Sequence, residues 1–202
     1  MSSEDWFCFL GGFCLVDGVF LVDERHKVCP IERAGKLDSW WRKFLQNPKR
    51  ILSKHVSKNM LVLDIGCGPG FFTIPLAEMV GVKGKVVALD LQQEMLDIVK
   101  KKIENSNFLN IFLHKSGENS LNLSDNFDFI LAFYVVHEVP DKQNFFKEVR
   151  AVLKHGSKML IVEPKKHVTV QEFEDWLLIA KSFGFEEVER PRILKSRAVV
   201  IK

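Results

Sequence analysis

The chain has no uninterrupted apolar run long enough to cross a bilayer, no CxxC pair, no low-complexity tract and no internal repeat. The first absence excludes an ordinary membrane-spanning helix, which needs about 20 consecutive apolar residues. The apolar stretch at residues 6–22 is preceded by Glu4 and Asp5, is interrupted by Asp17 and lacks a small-residue cleavage site, so it does not read as a secretory signal. Turn signals at Gly11-Gly12 and Asp17-Gly18 make it read as short strands in a hairpin. With no other targeting pattern, the expected location is the cytoplasm. Cysteine is scarce: Cys8, Cys14, Cys29 and Cys67 have spacings that match no common zinc pattern, and no metal is called for. Cys67 reads as packing. The other three are either reduced buried residues, the preferred reading, or a thiolate cluster for a soft ligand such as arsenic. Strong net charge is also missing. At +3 overall, nothing demands a polyanionic partner, and nucleic acid is disfavoured.

What is present is a globular composition: 47% hydrophobic, 27% charged and 11% aromatic residues in 202. That length accommodates one α/β core with appendages but not two ordinary domains. Charge is uneven, since residues 28–58 carry eight Lys/Arg against Glu32 and Asp38. Such a segment is either a solvated helix face, the preferred reading, or a surface for an anion. Leu37, Trp40, Trp41, Phe44 and Leu45 recur at helical spacing over residues 36–46, and Asn47-Pro48 opens a second short helix through Leu52. The expected organisation is an N-terminal extension (1–27), a helical lid (28–58) and a core (59–202).

Within the core, short apolar runs at 60–65, 85–90, 111–114, 129–133 and 158–163 read as buried parallel strands. Helical patterns at 71–80, 93–105, 142–153 and 170–183 separate them, with Asp141 as an N-cap and Gly84 and Gly156 in turns before strands. Residues 187–191 and 197–201 are too close for a crossover helix and read as a terminal antiparallel pair. The predicted fold is a single α/β domain with a doubly wound, mostly parallel seven-stranded sheet and an N-terminal helical lid. Ligands of such sheets bind beyond the carboxyl ends of the strands.

The strand at 61–65 runs into Gly66-Cys67-Gly68-Pro69-Gly70 and then into a helix. The chain must turn sharply there while its backbone approaches a ligand, which glycine permits. A dinucleotide fingerprint needs a sixth-place glycine, where Phe71 stands, so hydride transfer is disfavoured. Asp90, twenty residues after Gly70 and at the end of the second strand, suits a carboxylate accepting both ribose hydroxyls. Its alternative is a helix N-cap.

These pieces resemble the Rossmann-like S-adenosylmethionine-dependent methyltransferases, particularly the ubiquinone/menaquinone-biosynthesis-type small-molecule branch. The similarity covers residues 36–202 and is most specific at 62–70, supported by 88–91, 127–130 and 136–139. It implies S-adenosyl-L-methionine as cofactor: Gly66, Gly68 and Gly70, with Cys67 in the same loop, near the methionine portion, Asp64 setting the loop and holding the amino-acid end, and Asp90 followed by Leu91 at the ribose. The family's acidic adenine contact is replaced by Ser116, in the run Lys115-Ser116-Gly117-Glu118. Either Ser116 with Gly117 or Glu118 takes over that contact.

Beyond the fourth strand, Phe133 or Tyr134 could lay a ring near the sulfonium, an attraction of about 0.5 to 2 kcal/mol. His137 is a candidate general base, Glu163 a second, and Tyr134 completes the catalytic set. The alternative for His137 and Glu138 is a backbone cap on the next helix. The motif marking amide or exocyclic-amine methylation is absent from residues 132–135, and so is the paired-glutamate loop of arginine methyltransferases. The implied reaction is methyl transfer to a small-molecule acceptor. The alternatives are a nucleic-acid or protein methyltransferase and a non-catalytic cofactor-binding protein.

Overall fold

The computed structural model describes residues 46–106 and 108–202. The hairpin expected at 6–22, Cys8, Cys14, Cys29, Trp40, Trp41 and the helix expected at 36–46, apart from Gln46 itself, lie outside the described residues. Five helices and seven strands follow in the described chain: α1 (Pro48–Leu52), β1 (Leu61–Ile65), α2 (Thr73–Val80), β2 (Lys85–Asp90), α3 (Gln93–Glu104), β3 (Ile111–Lys115), β4 (Phe127–Phe133), α4 (Lys142–Val152), β5 (Leu153–Pro164), α5 (Val170–Ser182), β6 (Glu187–Glu189) and β7 (Ser196–Ile201). A single 3-10 turn, Val136–Glu138, leads from β4 towards α4.

The strands form one sheet in the order β3-β2-β1-β4-β5-β7-β6. The pairs from β3 through β5 are parallel, while β7 runs antiparallel to both β5 and β6. The order reverses between β1 and β4, so a crevice is expected at their carboxyl ends. The terminal antiparallel pair is therefore present, with β7 inserted between β5 and β6.

Alternation along each strand divides the core between two faces. Leu63, Ile65, Ile130, Met159 and Ile161 pack under α4 and α5 with Phe146, Val149, Phe173 and Leu177. Val62, Phe129, Leu131, Leu160 and Val162 pack on the other face against Leu52, Leu76, Leu96 and Val99. Local chemistry sets the helix starts. Asn47 and Asp141 accept hydrogen bonds from Arg50 N and Asn144 N, and Thr169 forms a reciprocal capping box with Glu172.

Two boundaries differ from the sequence reading. Helix α2 starts at Thr73 rather than Phe71, because Phe71 and Phe72 complete the loop's turn and bury their rings. Strand β5 begins at Leu153, yet Phe127 pairs with Leu153 and Phe129 with Lys158, so residues 154–157 bulge out with Gly156 at φ +77°. The turn expected at Gly156 is thus a bulge inside a longer strand.

Candidate active site

The glycine loop is defined by its backbone. Gly66, Gly68 and Gly70 have φ of +66°, +52° and +85°, conformations that L side chains rarely adopt. A Cβ at Gly66 would lie 2.5 Å from Val135 Cγ2, and one at Gly70 3.2 Å from Val99 Cγ2, whereas one at Gly68 would meet nothing within 4 Å. The loop is closed against protein at its two ends and open at its centre.

Two carboxylates hold this loop. Asp64, buried at the end of β1, accepts a 2.7 Å hydrogen bond from Thr73 Oγ1 and so ties the strand to the start of α2. Asp90 accepts from Gly68 N at 2.8 Å through one oxygen and from Gln92 N at 2.9 Å through the other. A carboxylate offers about four acceptor directions, so these two bonds leave room for further donors. Burial raises the Asp90 pKa above the ordinary carboxylate value, and the backbone N–H groups of Gln92, Gly68 and Leu91 offset part of that rise. The N-cap of α3 is Gln92, without a side-chain cap bond, so Asp90 holds the turn before the helix rather than capping it.

Ser116 N donates to the Asp90 carbonyl at 3.0 Å, which places Ser116 and Gly117 beside the end of β2. Glu118 is exposed. Cys67 is buried, and burial followed by the nearby Asp64 and Asp90 charges raises its thiol pKa well above the ordinary value. It is a packed thiol rather than a nucleophile.

Along the same sheet edge, the ends of β4, β5 and β7 are joined by side chains. Glu163, fully buried at the end of β5, accepts from Val136 N at 2.8 Å and bonds His137 Nδ1 at 2.6 Å. Because the carboxylate can only accept, Nδ1 carries the proton and Nε2 is left as the basic nitrogen. Nε2 lies 3.9 Å from Glu138 Oε1, beyond hydrogen-bond distance. Burial lowers the His137 pKa, but the Glu163 hydrogen bond and charge, with Glu138, outweigh it, and the net shift is upward from 6.5. Asp141, not His137 or Glu138, caps α4 with its side chain.

Tyr134, at φ +63°, lays its ring 4.6 Å from that of Phe133, which in turn sits 4.3 Å from Phe72. Its hydroxyl lies 2.6 Å from Ser196 Oγ and accepts from Gln46 Nε2 at 2.5 Å. The single Ser196 hydroxyl proton goes to the Leu194 carbonyl at 3.1 Å, so Tyr134 donates to Ser196. The hydroxyl is engaged in both directions.

Three contributors escaped the sequence reading. Lys102 donates from α3 to the Pro69 carbonyl and braces the glycine loop. Glu148 on α4 accepts from Ser120 Oγ at 2.8 Å and Leu121 N at 2.5 Å, holding the loop after β3. Ser196 closes the Tyr134 network. Glu148 and Lys102 look like solvated charges on amphipathic helices, and no local pattern distinguishes them.

A strand-loop-helix with open glycine backbone, beside a buried carboxylate that retains acceptor capacity, fits a nucleoside-bearing cofactor. A sequence family described as Methyltransferase domain matches residues 56–190. The chain belongs to the S-adenosylmethionine-dependent methyltransferases. Its similarity to the demethylmenaquinone methyltransferase of Bacillus cereus is 32% identity over 142 residues, covering 70% of this chain and 58% of that protein. To the Lactobacillus johnsonii enzyme of the same name it is 34% over 132 residues, covering 64% and 51%. The chain thus spans little more than half the length of these curated relatives. Among solved structures, an S-adenosylmethionine-dependent methyltransferase from Aquifex aeolicus aligns with a TM-score of 0.79 at 29% identity, covering 86% of this chain and 98% of that one. The fold is shared at 13% identity, with a TM-score of 0.59, by the Aeropyrum pernix fibrillarin solved with S-adenosyl-L-methionine bound, over 72% of this chain and 67% of that one.

The cofactor of this methyltransferase is S-adenosylmethionine. No helix among the described residues is long and apolar enough to cross a membrane.

Proposed function

We propose that this methyltransferase transfers the methyl group to a small-molecule acceptor with an ionisable hydroxyl, of the quinol or phenol class. The observation carrying this reading is the His137–Glu163 pair at 2.6 Å, on the sheet edge where the glycine loop also ends. The name of the curated relatives supports a quinone-type acceptor. A modest net charge of +3 favours a small molecule over nucleic acid. We place the reaction in the cytoplasm and assign residues 28–58 as the lid, from whose described part Gln46 reaches Tyr134.

In this reading Gly66, Cys67, Gly68 and Gly70 border the methionine portion, and Asp64 sets their loop. Asp90 and Leu91 hold the ribose, while Ser116, Gly117 and Glu118 face the adenine. Phe133 offers an aromatic face to the cation. S-adenosylmethionine supplies an electrophilic methyl group on a sulfonium that leaves as a neutral thioether. What remains for the protein is alignment, exclusion of water and removal of the acceptor's proton. His137 Nε2 takes that proton, and Glu163 fixes the ring and its tautomer and stabilises the imidazolium that forms. Tyr134, with its hydroxyl engaged, is a positioning residue.

A panel of hydroxylated ring acceptors, scored by S-adenosylhomocysteine formed per methylated product, tests the proposal. One-to-one formation with a quinol or phenol is expected. Saturable cofactor binding with no turnover across the panel would favour a non-catalytic protein, and methylation of RNA alone would favour the nucleic-acid class.

A further inference from the structure

Two loops beside the candidate acceptor end carry a charge pattern that the reaction does not require. Residues 164–171 contain Lys165, Lys166 and His167 and no acid, and residues 190–196, which lead into β7, contain Arg190, Arg192 and Lys195 and no acid. The loops touch: Lys165 N donates to the Lys195 carbonyl at 3.1 Å, and Pro164 pairs with Ser196 across the β5–β7 ladder. Lys165, Arg192 and Lys195 are exposed. Three of the neighbouring acids are committed elsewhere. Glu172 serves the Thr169 capping box, while Glu174 and Glu187 both bind Arg190. Behind the rim, Arg197 has Nε and Nη1 buried with no hydrogen-bond partner among the described residues.

An apolar tip stands among these cations. Ser196 N donates to the Ile193 carbonyl, and Lys195 takes φ +58°, closing a tight turn with Leu194 at its apex. Leu194 is 53% exposed and flanked by Ile193, Lys195 and, one residue further, Arg192. Val170, at the start of α5 beyond the other loop, is 62% exposed. Leu194 is also continuous with the site, since its carbonyl accepts from Ser196, whose hydroxyl accepts from Tyr134.

We infer that this rim docks on an anionic lipid bilayer, with Lys165, Arg192 and Lys195 on the headgroups and Leu194 entering the interface. Unpaired cations around an exposed aliphatic side chain combine two attractions that a membrane surface satisfies together. A nucleic-acid backbone offers nothing to Leu194. Docking would deliver a lipid-soluble ring acceptor to the edge that bears His137, and this purpose rests on the acceptor class proposed above.

Co-sedimentation of the full chain with vesicles tests the docking without cofactor or acceptor, so its failure leaves the methyl-transfer reading untouched. Binding is expected to equal parts phosphatidylcholine and phosphatidylglycerol, to be weak with phosphatidylcholine alone, and to be screened at about 1 M salt. Lys165→Glu/Lys195→Glu should weaken binding at least twentyfold, since each surface cation accounts for about fivefold. Leu194→Ala should weaken it roughly fivefold with the charge kept. Both variants should keep the S-adenosylmethionine affinity and melting temperature of the parent, because the three side chains are exposed and bond nothing in the cofactor loop. Equal binding to neutral and anionic vesicles, or no binding to either, would overturn the proposal. So would tight binding of single-stranded RNA by a chain that ignores vesicles.

Discussion

The two halves of the sheet's carboxyl edge are built by different means. At β1 and β2 the geometry lies in the backbone: three left-handed glycines, with Asp64 and Asp90 bonding groups 9 and 22 residues away. At β4, β5 and β7 it lies in side chains brought from afar, with partners separated by 26, 62 and 88 residues for His137–Glu163, Tyr134–Ser196 and Gln46–Tyr134. A backbone cradle restricts residue type at each position, since a side chain at Gly66 collides with Val135. A side-chain network tolerates many solutions. The first half therefore suits a cofactor common to a family, and the second can change with the acceptor.

Variants on opposite halves should separate these roles. The largest effect is expected for His137→Gln, which removes the basic nitrogen: turnover should fall by about a hundredfold or more. Cofactor affinity, measured on the same preparation, should stay within about twofold. An equal loss of both would make His137 a structural residue and erase the division.

Gly66→Ala should act on the other half, costing roughly 1–3 kcal/mol of stability from its left-handed backbone and the contact with Val135. Chemical denaturation measures this, and Gly66→Ala/Val135→Ala should recover part of the loss by removing the clash while the φ strain persists. No recovery would mean that the two halves do not meet at Val135.

A subtler effect is expected of Glu163→Gln on the pH profile. A base must be unprotonated to act, and the net shift of His137 is upward, so turnover should rise with pH through a value above the ordinary histidine value of 6.5. Removing the Glu163 charge should move that rise to lower pH while reducing the maximum. A profile that stays in place would show that His137 does not carry the titration.

The same contrast explains what was legible in the sequence. The order of strands and helices, the cap at Asp141, the glycine loop and the place of Asp90 follow from local periodicity and residue type, and each is present in the fold. The start of α2 was set instead by burial of Phe71 and Phe72, and the start of β5 by a bulge that a run of apolar residues does not announce. His137 and Glu163 were recognisable separately as candidates, but their pairing depends on the β4–β5 register. The saturation of the Tyr134 hydroxyl depends on Gln46 and Ser196, neither of which carries a motif. Asp90 has a role that its position alone did not announce, since its two oxygens clasp the backbone N–H groups of Gly68 and Gln92.

Titration calorimetry of S-adenosylmethionine into the native chain, Asp90→Asn and Asp90→Ala tests the central claim most directly. One saturable site is predicted for the native chain, with affinity at least tenfold weaker in Asp90→Ala, and an intermediate loss in Asp90→Asn, which keeps one acceptor oxygen. No heat with the native chain, or the same affinity in all three, would contradict the account.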